Sequence, residues 1–184
     1  MRLAKPRIDP IPESEWSDEV REILPRGPEA GRLPNIFATL ARHPKLLKRW
    51  LVFGGHILGK SSLPAREREI LILRIGWLCR CEYEWAQHAV IGRKVGLSDD
   101  EVRRITVGPS APGWAPFDAA LLTAVDELRA DSMIGDATWS ALAARYDTPQ
   151  LLDLVFTVGQ YTLVSMALNT LGVQLDEGLE GFPR

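Results

Sequence analysis

Apolar residues recur at intervals of three and four along most of this chain, and no alternating pattern persists in it. A period near 3.6 places apolar side chains on one face of a helix, whereas a half-buried strand requires alternation. The pattern therefore predicts an all-α protein. Long helices are expected over 44–59, 64–77, 82–94, 117–130 and 148–171, and shorter ones begin near 15, 98 and 136.

Proline and glycine divide the chain into three predicted regions. Residues 1–34 form an N-terminal arm with one short helix, residues 35–175 form a helical domain, and residues 176–184 form a peripheral C-terminal tail. Within the domain, the stretch 108–116 carries three prolines and two glycines and is the clearest loop. It is either a lid or a plain connector. One domain suffices, because a chain of this length can bury roughly 70% of its surface in a single core.

The charge balance and the cysteines exclude several classes of protein. The chain has 22 basic and 24 acidic side chains, so it lacks the basic field that a nucleic-acid partner requires. Its two cysteines cannot form a disulfide framework. The longest apolar runs, at 70–73 and 163–168, fall short of the ~20 residues that cross a bilayer, and no signal peptide is recognised. We therefore expect a cytoplasmic protein without a membrane partner.

A cysteine, a glutamate and a histidine follow one another at helical spacing in the most informative segment. Cys81, Glu84 and His88 share one stripe of a helix, since successive residues turn by about 100°. If the helices on either side of 79–81 form a hairpin, Glu69 lies within about one turn of His88. Burial raises the pKa of a carboxylate, whereas a nearby cationic imidazole lowers it. These opposing effects can give the groups separate acid and base roles near neutral pH. The pattern predicts an acid–base site.

The same residue types allow structural alternatives. A glutamate and a histidine four residues apart often form an exposed contact, and two carboxylates with a histidine can also bind a divalent metal. We expect neither a metal nor another cofactor, because no further ligand stands at the right spacing. Cys81 alone is more often a small buried apolar residue than a nucleophile, and Trp77 and Trp85 are predicted to pack in the core.

Other polar residues on apolar helices are predicted to have structural roles. Arg74 interrupts an apolar run, which favours pairing with a carboxylate in the core over binding of an anionic substrate. Gln160 and Asn169 lie on the last helix, where capping or interhelical hydrogen bonds are favoured over ligand contacts. His43 and His56 have no charged neighbour at helical spacing, and no catalytic role is expected for them.

Residues 63–96, LPAREREILILRIGWLCRCEYEWAQHAVIGRKVG, resemble the carboxymuconolactone decarboxylase family, which includes the alkylhydroperoxidase D group. The resemblance covers about 44–105 and extends to 159–176. It implies an alkylhydroperoxidase D-like helical fold that assembles as a homo-oligomer, whether dimer, trimer or hexamer. The hydroperoxidase motif has a glutamate twelve residues before a Cys-x-x-Cys and a histidine seven residues after its first cysteine. Glu69, Cys81 and His88 match this motif, but Glu84 stands where the second cysteine belongs.

The decarboxylase branch of the family carries a Glu-x-x-x-His pair that Glu84 and His88 match. The first hypothesis is accordingly a cofactor-independent enzyme that acts by proton transfer on a small organic acid or lactone. His88 is the proton shuttle, Glu84 and Glu69 orient it or act with it as acid and base, and Cys81 lines the pocket.

Two further hypotheses remain open. In the first, the protein is a thiol peroxidase in which Cys81 attacks the peroxide, His88 and Glu69 relay the proton, and an external thiol resolves the product. In the second, it is a non-catalytic, oligomeric binding module whose pocket is filled by Trp85 or Tyr83. The reactivity of the Cys81 thiol, and whether the space around Glu69, Glu84 and His88 is open or filled, distinguish these hypotheses.

Overall fold

The computed structural model describes residues 1–24 and 33–183, and all regular structure in these two ranges is helical. The predicted fold class is thereby confirmed, whereas most of the proline- and glycine-rich stretch at 25–34 lies outside the described residues. A 3-10 turn, Glu13–Glu15, precedes the α-helices. These are α1 (Asp18–Ile23), α2 (Asn35–Leu40), α3 (Pro44–Gly59), α4 (Ala65–Leu78), α5 (Glu82–Lys94), α6 (Asp99–Val107), α7 (Pro116–Asp131), α8 (Asp136–Ala143) and α9 (Thr148–Leu171).

The helix ends follow from capping chemistry that is visible in the sequence. Ser98 and Glu101 form the capping box of α6, and Asp147 and Gln150 form another at the start of α9. Helix α8 begins at Asp136, as predicted, with Gly135 as its N-cap, and it stops at Ala143. The carboxylate of Glu127 on α7 accepts hydrogen bonds from Gly135 N–H and from the Thr138 hydroxyl. Glu127 thus fastens the start of α8 to α7.

Helix α4 is the centre of the molecule, with α5, α6, α7 and α9 packed around it. Eight consecutive residues of this helix, 69–76, are buried, so this part of it has no solvent face. Its charged side chains therefore need partners within the protein. Arg74 pairs with Asp126 through hydrogen bonds of 2.7 and 2.8 Å and also donates to the carbonyl of Ile105. The predicted structural pairing of Arg74 is confirmed.

A tight turn joins α4 to α5 and makes them the predicted hairpin. Arg80 adopts a left-handed conformation with φ of 51°, while its N–H donates to Trp77 and that of Cys81 donates to Gly76. These are the bonds of a Schellman motif, which reverses the chain directly after a helix. The carbonyl of Cys79, at the C-cap of α4, accepts a hydrogen bond from Asn169 Nδ2 at 3.0 Å, the capping role that was predicted for this amide. The turn fixes which face of α5 meets α4.

The C-terminal tail is not peripheral, contrary to the prediction. Asp176 accepts hydrogen bonds from the Tyr83 hydroxyl at 2.7 Å and from Asn35 N–H at 2.8 Å, which ties the tail to α5 and α2. Farther along, the ring of Phe182 packs edge-on against Trp77 with centroids 4.9 Å apart. In the sequence this segment stands out only for its acidic residues. The anchoring role of Phe182 was not predicted, because it depends on contact with Trp77, which is far away in the sequence.

The loop between α6 and α7 packs against the end of α6. Trp114 donates its indole N–H to the carbonyl of Gly108 at 3.2 Å, and the guanidinium of Arg104 lies 4.7 Å from the centre of the Trp114 ring. Loop and helix are thus fastened to each other by a hydrogen bond and a cation–π contact.

Helix α9 is 24 residues long, and its most apolar window has a mean hydropathy of 1.5. By length and composition alone it passes the test for a membrane span, which the short apolar runs did not predict. A core helix passes the same test, and α9 packs along α4. Several of its apolar side chains are nevertheless exposed: Leu152, Phe156, Leu163 and Met166. The homo-oligomer that the resemblance implies stays a prediction.

Replacing Phe182 by alanine should lower stability, because the tail loses the ring that packs on Trp77 and Trp85. We expect a loss of about 1–3 kcal/mol, below the cost for a fully buried phenylalanine since Phe182 is half-buried. Urea unfolding measures it. Glu180→Ala, an exposed change in the same tail, is the control and should leave the free energy of unfolding within about 0.5 kcal/mol. A Phe182→Ala protein as stable as this control would show that the tail is not anchored.

Candidate active site

A hydrogen bond between the imidazole of His88 and the carboxylate of Glu69 joins α5 to α4. His88 Nδ1 lies 2.6 Å from Glu69 Oε2. Glu69 is completely buried, and its other oxygen lies 3.5 Å from Arg68 Nε without a hydrogen bond of good geometry. The sequence prediction that a hairpin brings Glu69 within reach of His88 is confirmed. One ring nitrogen is thus held by a carboxylate, which leaves the other for chemistry.

Glu84 lies on the opposite side of the same imidazole. Its Oε2 is 3.4 Å from His88 Nε2, one helical turn away on α5. Burial raises the pKa of Glu84 to about 6, the neighbouring charge of Glu69 adds to this rise, and the charge of His88 opposes it. Glu84 therefore changes protonation close to neutral pH, where a general acid or base is most effective.

The charge of His88 is set by a balance between burial and two carboxylates. Burial disfavours the imidazolium, but the charge and hydrogen bond of Glu69, followed by the charge of Glu84, outweigh it and raise the His88 pKa. The ring of Tyr161 meets the imidazole edge-on, with centroids 4.9 Å apart. His88 is therefore a cation more often than a free histidine at the same pH, and its ring is held in place from both sides.

A cavity of about 320 Å³ opens beside this group. Glu84 and His88 lie in its wall, whereas Glu69 stands behind them and supports His88 from the core. The volume lies at the lower end of the range for small-molecule sites. The lining residues come from the start of α2, from α3, α5 and α9: Pro34, Ile36, Phe37, Trp50, Leu51, Gly54, Gly55, Leu58, Tyr83, Glu84, Gln87, His88, Ile91, Gln160, Tyr161 and Val164.

Cys81 is not part of this wall, and its predicted place on the helical stripe was wrong. It is the N-cap of α5, with φ of −96° and ψ of 90°, so the 100° helical rotation does not apply to it. Its thiol is buried in an apolar cluster with Ile36, Val164 and Leu168. Burial first, and then the nearby Glu84 carboxylate, raise the pKa of Cys81 to about 12. Its predicted role in lining the pocket is therefore not supported.

Two polar residues of the cavity wall, Gln160 and Tyr161, come from α9. Gln160 was predicted to cap or to bond between helices, but its amide has no hydrogen-bond partner within 1–24 and 33–183 and it lines the cavity. Tyr161 was not predicted as a site residue. Its burial, and then the charges of Glu84 and Glu69, raise its pKa well above the ordinary value for a phenol. The only local signal in the sequence that could have placed Tyr161 at the site is its position next to Gln160 on the same helical turn.

The remaining predictions for polar and aromatic residues have mixed outcomes. Trp85 packs on Trp77 as expected, with centroids 5.6 Å apart, and does not fill the cavity. His43 is the N-cap of α3. His56 hydrogen-bonds Asp153 at 3.0 Å, outside the cavity. Over the described ranges, no group of three or more histidine, cysteine, aspartate and glutamate side chains has the geometry to hold a metal ion.

Comparison with known proteins agrees with the resemblance seen in the sequence. Residues 44–126 match the family model of the carboxymuconolactone decarboxylase family. None of the curated proteins compared with the chain matches it.

Several solved structures share the fold. An alkylhydroperoxidase AhpD core protein from Ralstonia eutropha JMP134, described as an uncharacterised peroxidase-related protein, is 23% identical with a TM-score of 0.80 and 95% of each chain covered. A peroxidase-related protein from Silicibacter sp. TM1040 is 17% identical with a TM-score of 0.72, covering 96% of this chain and 92% of that one. The debrominase Bmp8 in complex with 2,3,4-tribromopyrrole is 14% identical with a TM-score of 0.76, covering 95% and 94%. The alkylhydroperoxidase D-like fold is confirmed.

Glu84→Gln should stabilise the folded protein near pH 7.5. The folded-state pKa of Glu84 is raised to about 6 from 4.5, so the stability that its protonated form contributes is present below 4.5 and is lost as the pH rises through 6. Removing the charge should therefore raise the free energy of unfolding by roughly 1–2 kcal/mol at about pH 7.5, and by much less at about pH 5. Urea unfolding at both pH values measures this.

The control for that experiment is Glu19→Gln, which removes an exposed carboxylate on α1 and should change stability little at either pH. A Glu84→Gln protein that is less stable than wild type near pH 7.5 would mean that the charged carboxylate is held by the fold rather than opposed by it.

Cys81 should react slowly with iodoacetamide in the folded protein. A pKa of about 12 in place of 9.0 lowers the thiolate fraction about a thousandfold at neutral pH, and the apolar surroundings restrict access. Mass spectrometry of a Cys79→Ser variant isolates Cys81, and the same variant unfolded in urea gives the reference rate. The matched Cys81→Ser variant reports on the half-buried Cys79. Labelling of Cys81 as fast as in the unfolded chain would contradict its assigned environment.

Proposed function

We propose that this protein, whose residues 44–126 match the carboxymuconolactone decarboxylase family, is a cofactor-independent enzyme. It would transfer protons on a small organic substrate by general acid–base catalysis. The observation that carries the proposal is His88, held at Nδ1 by Glu69 at 2.6 Å and facing Glu84 from Nε2 at 3.4 Å in the wall of a cavity.

In this proposal Glu69 is the positioning residue. Its buried carboxylate accepts a hydrogen bond from Nδ1–H, which fixes the orientation and tautomer of the imidazole. The Nε2 side of the ring is then directed toward Glu84, and no rearrangement is needed when a substrate enters. Such prior positioning removes the cost of ordering the catalytic groups during the reaction.

Glu84 and His88 are the proposed catalytic residues. With a pKa of about 6, Glu84 is mostly ionised at neutral pH and can take a proton from a carbon or oxygen of the substrate. His88, whose pKa is raised, can donate its Nε2 proton where negative charge develops. After these steps Glu84 is protonated and His88 is neutral. Because Glu84 Oε2 and His88 Nε2 lie 3.4 Å apart, the proton can pass from Glu84 to His88. The cycle ends with both groups in their starting states.

The peroxidase alternative has less support from the site. A peroxidatic cysteine needs an accessible thiol with a low pKa, but Cys81 is buried and burial together with Glu84 raises its pKa. Cys79 is half-buried in the turn next to it, and both thiols are free. The similar structures from Ralstonia eutropha and Silicibacter are described as peroxidase-related, a description that belongs to those proteins.

The alternative of a non-catalytic module required a pocket filled by side chains. Tyr83 does lie in the cavity wall, but its hydroxyl donates to Asp176 and the space beside His88 stays open. An open cavity next to an acid–base pair favours turnover over a purely structural role.

Deuterium exchange tests the proposal without knowledge of the natural substrate. The protein should catalyse incorporation of solvent deuterium next to the carbonyl in some members of a panel of unsaturated lactones and cyclic diketones, followed by proton NMR. His88→Gln and Glu84→Gln should each lower the rate by about 10²–10⁴-fold, because each removes one partner of the proton transfer.

His56→Gln is the matched control, since this histidine also pairs with a carboxylate but lies outside the cavity. It should exchange at the wild-type rate. Exchange that persists in folded His88→Gln protein, or wild-type protein that accelerates no member of the panel, would refute the proposal.

A further inference from the structure

The described residues of the cavity wall offer no free cation. Among the 16 described lining residues there is no lysine or arginine, and Glu84 and His88 are the charged pair in the wall. The positive charge of His88 is already matched by Glu69, 2.6 Å away. Glu84, 3.4 Å from the other ring nitrogen, shares the same cation, so His88 is not free to pair with an entering anion.

The other charged and titratable groups near Glu84 add no free cation to the described wall. From α4 come Glu69 and Arg68, and the latter lies behind the wall with its Nε 3.5 Å from Glu69. From α5 comes His88, and from α9 comes Tyr161, which stays neutral because its pKa is raised. The thiol of Cys81 is neutral for the same reason. A carboxylate entering the cavity would lose its hydration and meet Glu84, and the described residues of the wall provide no free cation to pair with it.

Neutral hydrogen-bonding groups are concentrated on one side of the cavity. The amide of Gln160 has no partner in the described part of the chain, and neither has the hydroxyl of Tyr161. Both lie on α9, and the Tyr161 ring touches the imidazole of His88. The opposite side is apolar and aromatic, and it includes Phe37 and Trp50, whose ring centroids lie 6.1 Å apart. A ligand with one polar edge and an apolar body would satisfy both sides.

Two glycines keep this space open at a cost to α3. Gly54 and Gly55 lie in the interior of a 16-residue helix, where each glycine destabilises by roughly 0.5–1 kcal/mol relative to alanine. A Cβ at Gly54 would contact Trp50 and Gln160 at 3.6 Å, and one at Gly55 would meet nothing within 4 Å. Both residues line the cavity, so larger side chains there would occupy it.

We propose that this cavity binds a small uncharged molecule with an apolar body and one hydrogen-bonding edge directed at Gln160, Tyr161 and His88, and that it rejects carboxylate anions. The inference rests on the proposed function only in taking the cavity as the substrate site. It narrows the substrate class that the sequence suggested, because it retains the lactones and removes the ionised organic acids.

A matched pair of probes tests the proposal by binding alone. Naphthamide and naphthoate have nearly the same shape and differ in charge. Titration calorimetry at about pH 7.5 should show naphthamide bound at least tenfold more tightly than naphthoate, since two like charges a few ångströms apart repel strongly in a partly buried site. Equal affinities, tighter binding of naphthoate, or no binding of either probe at millimolar concentration would overturn the proposal.

Removing the charge of Glu84 should remove the discrimination. In Glu84→Gln at about pH 7.5, naphthoate should bind within about threefold of naphthamide, while naphthamide changes little. In wild type, lowering the pH to about 5.5 protonates part of Glu84 and should narrow the difference in the same direction. A preference for naphthamide that is unchanged in Glu84→Gln would show that the carboxylate does not cause it, and would refute the proposal.

A glycine pair shows whether the probes occupy this cavity. Gly55→Leu should weaken naphthamide binding at least tenfold because the side chain enters the cavity mouth. Gly159→Leu is the control, since Gly159 is also an exposed glycine inside a helix with nothing within 4 Å, but it lies outside the cavity. Thermal unfolding confirms that both variants fold. Equal losses of affinity, or none in Gly55→Leu, would place the probe elsewhere and overturn the assignment.

The binding and exchange experiments can fail separately. Selective binding of naphthamide without any deuterium exchange would leave this inference standing and refute the acid–base function. Exchange combined with equal binding of naphthoate would do the reverse.

Discussion

The enclosure of α4 on every side determines the arrangement of the site. A helix without a solvent face cannot leave a charged side chain unpartnered, because burial of an isolated charge costs far more than a domain's net stability can supply. Arg74 meets this requirement with Asp126 on α7. Glu69 meets it with His88 on α5. The hydrogen bond between His88 and Glu69 therefore has two roles. It organises the candidate site, and it allows the central helix to be buried with a charged side chain.

This pairing satisfies only part of the site. One oxygen of Glu69 lacks a hydrogen bond of good geometry, and Glu84 is buried beside a second carboxylate. Buried ion pairs rarely add to stability, since desolvation offsets their attraction. The glycines of α3 add a further cost, because they weaken a helix that could otherwise carry larger side chains. Costs of this kind are concentrated around the cavity, as expected where a structure retains residues for function rather than for stability.

The sequence predicted those features that depend on local geometry. Glu84 and His88 were placed together by helical spacing, and Glu69 joined them because a short turn makes two helices antiparallel. The prediction failed for Cys81, which caps a helix and so does not follow the rotation of the residues after it. It also missed Tyr161, since the approach of α9 depends on how distant helices pack and leaves no periodic signal near the site. The anchoring of the C-terminal tail was missed for the same reason.

Glu84 occupies the position at which the alkylhydroperoxidase D motif has its second cysteine, and its chemistry bears on both of the proposed kinds of site. A carboxylate there cannot close a disulfide, and its charge adds to the burial that keeps Cys81 protonated. The same carboxylate, raised to a pKa of about 6 by burial, gives His88 an acid–base partner. One residue thus disfavours thiol chemistry and favours proton transfer, so the two activities are alternatives at this position rather than additions to one another.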